Sequence, residues 1–79
     1  MQSRNGLLSE MLRSHRVASA KLQQELLHFK SGNMHSSERY GGGPLIDTTA
    51  RTITRLQQGI AEYAGSIAYL ESELAAADV

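Results

Sequence analysis

The 79-residue sequence contains no cysteine, no tryptophan, one proline and one phenylalanine. The lack of cysteine excludes disulfide bonds and thiolate metal sites. The three histidines, His15, His28 and His35, do not have the spacing of a helical zinc motif. A chain this short buries so little surface that its core is marginal, and such chains usually need a disulfide, a metal or a partner. With disulfides and metals excluded, a partner chain is the remaining source of extra stability.

The sequence has no excess of either positive or negative charge. The chain has eight Lys and Arg residues and eight Asp and Glu residues, so its formal net charge is zero. A neutral chain has no global field that attracts nucleic acid or an anionic membrane, and we do not expect it to bind nucleic acid. No apolar run approaches the roughly 18 residues of a membrane span. The first residues also lack the apolar stretch of a signal peptide. We therefore expect a cytoplasmic protein.

The second half of the chain has an apolar repeat in alternating steps of three and four residues. It consists of Ile46, Thr49, Ile53, Leu56, Ile60, Tyr63, Ile67, Leu70, Leu74 and Ala77. A rhythm sustained for more than four heptads predicts a helix with coiled-coil-like packing over 46–77. Pro44, Asp47, Thr48 and Thr49 are residues typical of a helix start, which therefore lies between Pro44 and Thr49.

The first half has a weaker version of the same pattern and predicts a helix over 4–30. Its inward positions are Leu8, Leu12, His15, Ser19, Leu22, Leu26 and Phe29. Ser31 and Gly32 are a stop signal for this helix. The segment 31–45 is rich in Gly and Ser and has no apolar rhythm, which predicts a loop between the two helices.

The two helices are expected to run antiparallel as one hairpin domain over 1–79. A loop of this length could connect parallel helices only if it were fully extended, because a 27-residue helix is about 40 Å long. The charges agree, since the acidic end of the second helix would then lie beside Arg4, Arg13 and Arg16 of the first; that end carries Glu62, Glu71, Glu73 and Asp78. The same arrangement would bring Arg51 and Arg55 towards Glu25.

The predicted fold is therefore all-α, an antiparallel helical hairpin with coiled-coil-like packing. Small residues beside the repeat, such as Ala50, Gly59 and Ala64, widen the apolar face beyond what two helices cover. We expect a four-helix bundle formed by a homodimer, or docking to a helical partner protein. A parallel pairing of the second helix between two chains stays open, because Ile and Leu alternate at its core positions.

The expected function is non-enzymatic: a protein–protein interaction or assembly module. The residues predicted to carry it form the apolar faces of both helices, here termed the seam: Leu8, Leu12, His15, Leu22, Leu26, Phe29, Ile46, Ile53, Leu56, Ile60, Tyr63, Ile67, Leu70 and Leu74. The sequence predicts no catalytic residue, cofactor or metal, since no pair of titratable groups has the spacing of a catalytic site. The alternative is a small helical regulator, binding protein or, less well supported, nucleic acid, and switched through its loop or through His15.

Overall fold

A computed structural model describes residues 3–77 of the chain and has the form of a helical hairpin. Helix α1 spans Arg4–Lys30 and helix α2 spans Thr49–Ala77. Between them lie two short strands, β1 (Ser37–Glu38) and β2 (Ile46–Asp47), which pair antiparallel. The molecule measures 59 × 26 × 16 Å. It is therefore two helices wide and one helix thick, so both broad faces of the hairpin are open.

Both ends of α1 are closed by serine side chains. The hydroxyl of Ser3 accepts a hydrogen bond from the backbone N–H of Gly6 at 3.1 Å, which satisfies one of the free N–H groups of the first turn. At the other end, the Ser31 hydroxyl donates to the carbonyl oxygen of His28 at 3.0 Å. Gly32 follows with a positive φ of 83°, a conformation that favours glycine. The backbone N–H of Asn33 also returns to the His28 carbonyl, so the chain leaves the helix axis here.

Helix α2 begins at Thr49 rather than at Ile46, which corrects the predicted helix boundary. The Asp47 carboxylate accepts hydrogen bonds from the backbone N–H of Thr49 at 3.0 Å and from its hydroxyl at 2.6 Å. Asp47 thereby supplies the acceptor that the first turn of the helix needs. Ile46 instead pairs with Glu38 in the ladder and is 48% exposed. The segment predicted as a loop therefore contains a two-residue β-ladder. Ile46 fits the apolar repeat of α2, but it lies in β2 and outside the helix.

The core of the hairpin is a single layer of side chains between α1 and α2. Its buried apolar members are Leu12 and Phe29 from α1 and Leu56 and Leu70 from α2. The other seam residues of the two helices are half-buried; they are Leu8, His15, Leu22, Leu26, Ile53, Ile60, Tyr63, Ile67 and Leu74. Among residues 3–77, no large side chain is completely buried. One line of contact between two helices thus leaves the edges of the seam open to water.

Ion pairs confirm the antiparallel arrangement that the charges predicted. Arg4 pairs with Glu73 at 2.8 Å and Arg16 with Glu71 at 3.8 Å, which brings the start of α1 beside the end of α2. Exposed pairs of this kind contribute only about 0–1 kcal/mol each, so they orient the helices more than they hold them together. The sequence patterns did not predict the ion-pair partner of Arg51. Arg51 pairs with Glu38 at 2.8 Å, because β1 folds back over the start of α2.

Candidate interaction surfaces

The structure places the seam residues of both helices against each other within the hairpin. Leu56 and Leu70, at the centre of the α2 repeat, are 8% and 4% exposed. The seam therefore joins α1 to α2, and its middle is not a free surface. What remains accessible is each edge of the seam, together with the residues that flank it. The candidate interaction surfaces are therefore those flanks and the loop.

His15 lies on the inner side of α1 and already has two neighbours. Its Nδ1 atom is 2.7 Å from the carbonyl oxygen of Met11, a hydrogen bond that Nδ1 donates when it carries the ring proton. Its ring meets that of Tyr63 edge-to-face, with centroids 5.4 Å apart and planes at 83°. Aromatic rings prefer this geometry because the positive edge of one faces the negative face of the other. His15 is thus a packed, hydrogen-bonded residue at the contact between the helices.

Helix α2 carries its charges on one side and a face without charge on another. Residues three and four apart share a side of a helix, which groups Arg51, Arg55, Glu62 and Glu73 on the charged side. The opposite group, termed the uncharged face, consists of Ala50, Ile53, Gln57, Ile60, Ala61, Ala64, Ile67 and Ala68. The isoleucines of this face are half-buried and its alanines and glutamine are exposed. Only Glu71, paired with Arg16 at 3.8 Å, borders the face at its far end.

The two glycines of α2 differ in what surrounds them. A Cβ atom added at Gly59 would lie 3.1 Å from Cδ1 of Leu22, so the glycine permits a close approach of α1. A Cβ atom added at Gly65 would have nothing within 4 Å. A glycine inside a helix costs about 1 kcal/mol relative to alanine. Packing within the hairpin explains Gly59 but gives no reason for Gly65.

A cluster of hydroxyl groups fastens the loop to the start of α2, and the sequence patterns did not predict it. The Ser36 hydroxyl lies 2.7 Å from that of Thr52 and accepts a hydrogen bond from that of Thr48 at 2.9 Å. The Ser36 backbone N–H donates to the Thr49 hydroxyl at 3.1 Å, and its carbonyl accepts from the Thr48 N–H at 2.9 Å. Thr48 and Thr52 are buried. The run of threonines before and within the first turn of α2 was the available clue, but it does not identify Ser36 as the partner.

Two carboxylates add charge-assisted hydrogen bonds around this cluster. The Tyr40 hydroxyl and the Arg51 guanidinium both donate to Glu38, at 2.7 and 2.8 Å, and hold the pKa of this carboxyl below its ordinary value of 4.5. The hydroxyl and the backbone N–H of Thr49 lower the pKa of Asp47 from its ordinary 3.8. Both carboxylates are therefore held in the charged form. The segment between the helices, residues 31–48, is therefore folded and is termed the tip. It exposes the large apolar side chains of Met34, Tyr40, Leu45 and Ile46.

Other classes of site find no support in the part of the chain that the structure describes. Residues 3–77 contain no group of three or more His, Asp or Glu side chains placed to hold a metal ion. Neither α1 nor α2 has the length and apolar character needed to cross a membrane. No protein-family model, curated protein or solved structure matches this chain.

Proposed function

We propose that this chain is a non-enzymatic protein–protein interaction module that completes a helical assembly, by self-association or by docking to a helical partner. The observation that carries the proposal is the amount of surface the hairpin leaves in water. The chain exposes 5838 Å², whereas a compact monomer of 8.6 kDa exposes about 4,700 Å². The excess, roughly 1,100 Å², is comparable to the ~800 Å² that each partner buries in a standard interface.

The thin core supports the same proposal. Two helices in one layer bury only four large apolar side chains among residues 3–77. Other apolar side chains, including Leu7, Met11, Val17 and Tyr69, are at least 40% exposed. Packing a second helical layer on an open face would bury such side chains at about 25 cal/mol per Å². A four-helix bundle is the usual way in which helical hairpins achieve this.

A second candidate function is a small helical regulator that is switched at its loop. The observation that favours it is the hydroxyl cluster, because the order of the whole tip depends on a few hydrogen bonds around Ser36. Releasing them would change how Met34, Tyr40 and Leu45 are presented. His15 supports this alternative less well, since its ring is already occupied by Met11 and Tyr63.

The test is the molar mass in solution by light scattering across protein concentration, with circular dichroism on the same samples. We expect a strongly helical species whose mass is a multiple of 8.6 kDa. A poorly helical monomer that gains helicity with a captured partner would support docking to a different chain. A stable, fully helical monomer that unfolds in one cooperative thermal transition would contradict the proposal, because its open faces would then need no partner.

A further inference from the structure

We infer that the uncharged face of α2 binds a second copy of this chain, with the two α2 helices antiparallel and a twofold axis near Ala64. This inference rests on the proposed function and identifies its surface and its partner. The seam cannot serve this purpose in its middle, because α1 already covers Leu56 and Leu70. The uncharged face borders the seam and continues the same apolar surface outwards.

Three properties separate this face from the rest of the helix. Between Ala50 and Ala68 it carries no charged side chain for about five turns, whereas the charges of α2 gather on its other exposed side. The centres of protein interfaces are depleted in charge in the same way. Ile53, Ile60 and Ile67 recur every seven residues along its inner border, and each is only half-buried by α1. A second helix laid on the face would cover the rest of these isoleucines.

Several observations favour a second copy of the chain as the partner. The excess of exposed surface, roughly 1,100 Å² relative to a compact monomer, matches one standard interface per subunit. The face is also suited to contact itself, because it sets a row of isoleucines beside a row of small residues. In an antiparallel twofold interface each row meets its own counterpart, so isoleucines pack on isoleucines and small residues on small residues. The formal net charge of zero means that two identical copies do not repel each other at long range.

The distribution of charge along α2 favours the antiparallel orientation. Glu71 is the charged residue that borders the uncharged face, at its far end. Antiparallel copies with an axis near Ala64 bring Glu71 of one copy to the level of Gln57 of the other, because both lie seven residues from the axis. Parallel copies would instead set Glu71 beside Glu71. Antiparallel helix dipoles also attract, since the positive end of each lies beside the negative end of the other.

The proposed dimer gives a reason for a glycine at position 65. It lies next to the proposed axis, and no atom of the hairpin comes within 4 Å of the position its Cβ would occupy. A helix backbone without a side chain at this level lets the two α2 helices come close together where they cross. Ala61, Ala64 and Ala68 would then form the closest contact, with Gly65 at one border and the isoleucines at the other.

The experiment uses single cysteines, which report on one contact each because the natural chain has none. Ala64→Cys places a thiol near the axis on the uncharged face. Ser66→Cys is the matched control, since Ser66 is also exposed and lies two residues away on a different side of α2. Ala50→Cys reports orientation, because the two copies of position 50 lie about 42 Å apart in the antiparallel dimer and adjacent in a parallel one. The full-length variants are oxidised gently and run on a non-reducing gel beside light scattering of the reduced samples.

We expect Ala64→Cys to form a covalent dimer at least tenfold faster than Ser66→Cys and Ala50→Cys, since a disulfide requires Cα atoms within about 7 Å. Cross-linking at both Ala64 and Ala50 would mean a parallel dimer and would overturn the inference. A dimer by light scattering that cross-links only at Ser66 would overturn it while leaving the proposed function standing. A poorly helical monomer without cross-links would also overturn it and point to a different partner chain. A stable, fully helical monomer would refute both.

Discussion

His15 and Tyr63 face each other across the hairpin, with ring centroids 5.4 Å apart and ring planes at 83°. They come from the middle of α1 and the middle of α2, 48 positions apart in the sequence, and both are half-buried. The Nδ1 atom of His15 is meanwhile engaged by the Met11 carbonyl oxygen at 2.7 Å. A polar residue on an apolar seam can fix the register of two helices at some cost in stability. This pair is placed to do so in the hairpin.

A double-mutant cycle measures how strongly the two rings are coupled. We expect His15→Ala and Tyr63→Ala each to lower the free energy of unfolding, and the double variant to lose less than the sum. Edge-to-face aromatic pairs contribute about 0.5–1.5 kcal/mol beyond their buried area, and that is the coupling energy expected from chemical denaturation. As a control, pairing His15→Ala with an alanine substitution at the distant, exposed Tyr69 should give additive losses. Additivity in the His15–Tyr63 cycle would show that the ring contact carries no energy of its own.

Removing the Ser36 hydroxyl is expected to loosen the tip without separating the helices. Ser36→Ala leaves the buried hydroxyls of Thr48 and Thr52 without their partner, which costs about 1–3 kcal/mol. Hydrogen exchange at the Thr48 amide, which donates to the Ser36 carbonyl, should therefore accelerate by tenfold or more. Exchange at amides in the middle of α1 should stay unchanged.

Ser37→Ala is the matched control for that variant. Ser37 is the next residue along the chain, is exposed, and pairs with Asp47 through the ladder. Its hydroxyl makes no hydrogen bond within the described part of the chain, so the control should leave exchange at Thr48 unaffected. Equal acceleration in both variants would mean that the ladder, and not the hydroxyl cluster, holds the tip.

The helical hairpin was predictable because it depends on periodic, local information. Apolar residues at steps of three and four residues predict the inner faces of both helices, and Gly32 with the Gly41–Pro44 segment predicts the break between them. The charges of Arg4, Arg16, Glu71 and Glu73 were sufficient to indicate the antiparallel orientation. Each of these features is read from residues whose partners follow from helix geometry alone.

The tip was not predictable in the same way, because it depends on contacts between residues without any repeating pattern. Ile46 matched the apolar rhythm, and only its pairing with Glu38 shows that it belongs to a strand. Ser36 is one of several serines in a polar segment, and its role follows from meeting Thr48 and Thr52, 12 and 16 positions later. The ion pair of Arg51 with Glu38 was not predicted for the same reason, since the return of β1 towards α2 was not visible in the sequence. The occupant of the uncharged face stays a prediction.

Acid should loosen the tip as its two carboxylates, Glu38 and Asp47, become protonated. The pKa of Glu38 lies below 4.5, mainly through the Tyr40 hydroxyl and then through Arg51, and the pKa of Asp47 lies below 3.8 through Thr49. A carboxylate with a depressed folded-state pKa contributes stability that is fully present above its unfolded value. That contribution is lost as the pH falls through the folded-state pKa. The loss should therefore occur below about pH 4.5 and should be followed by NMR of the Tyr40 and Thr49 resonances.

Glu38→Gln should remove part of this acid response, because the amide that replaces the carboxylate does not titrate. Glu25→Gln, an exposed substitution on α1, serves as the control and should leave the response of the tip unchanged. If the Tyr40 and Thr49 resonances titrate in Glu38→Gln as they do in the natural chain, Glu38 does not control the tip.

The two glycines of α2 should respond differently to the same substitution. Gly65→Ala adds a Cβ into open space, so the hairpin should gain up to about 1 kcal/mol from the better helix propensity of alanine. Gly59→Ala brings its Cβ to 3.1 Å from Cδ1 of Leu22, and that side chain must move to admit it. We expect its gain to be smaller by at least about 0.5 kcal/mol, since extra volume in a packed contact is destabilising. Both changes in the free energy of unfolding are measured by thermal unfolding, at protein concentrations low enough to keep the chain monomeric. Equal gains would mean that Gly59 is not needed for the approach of α1, and that the close contact at Leu22 can relax at no cost.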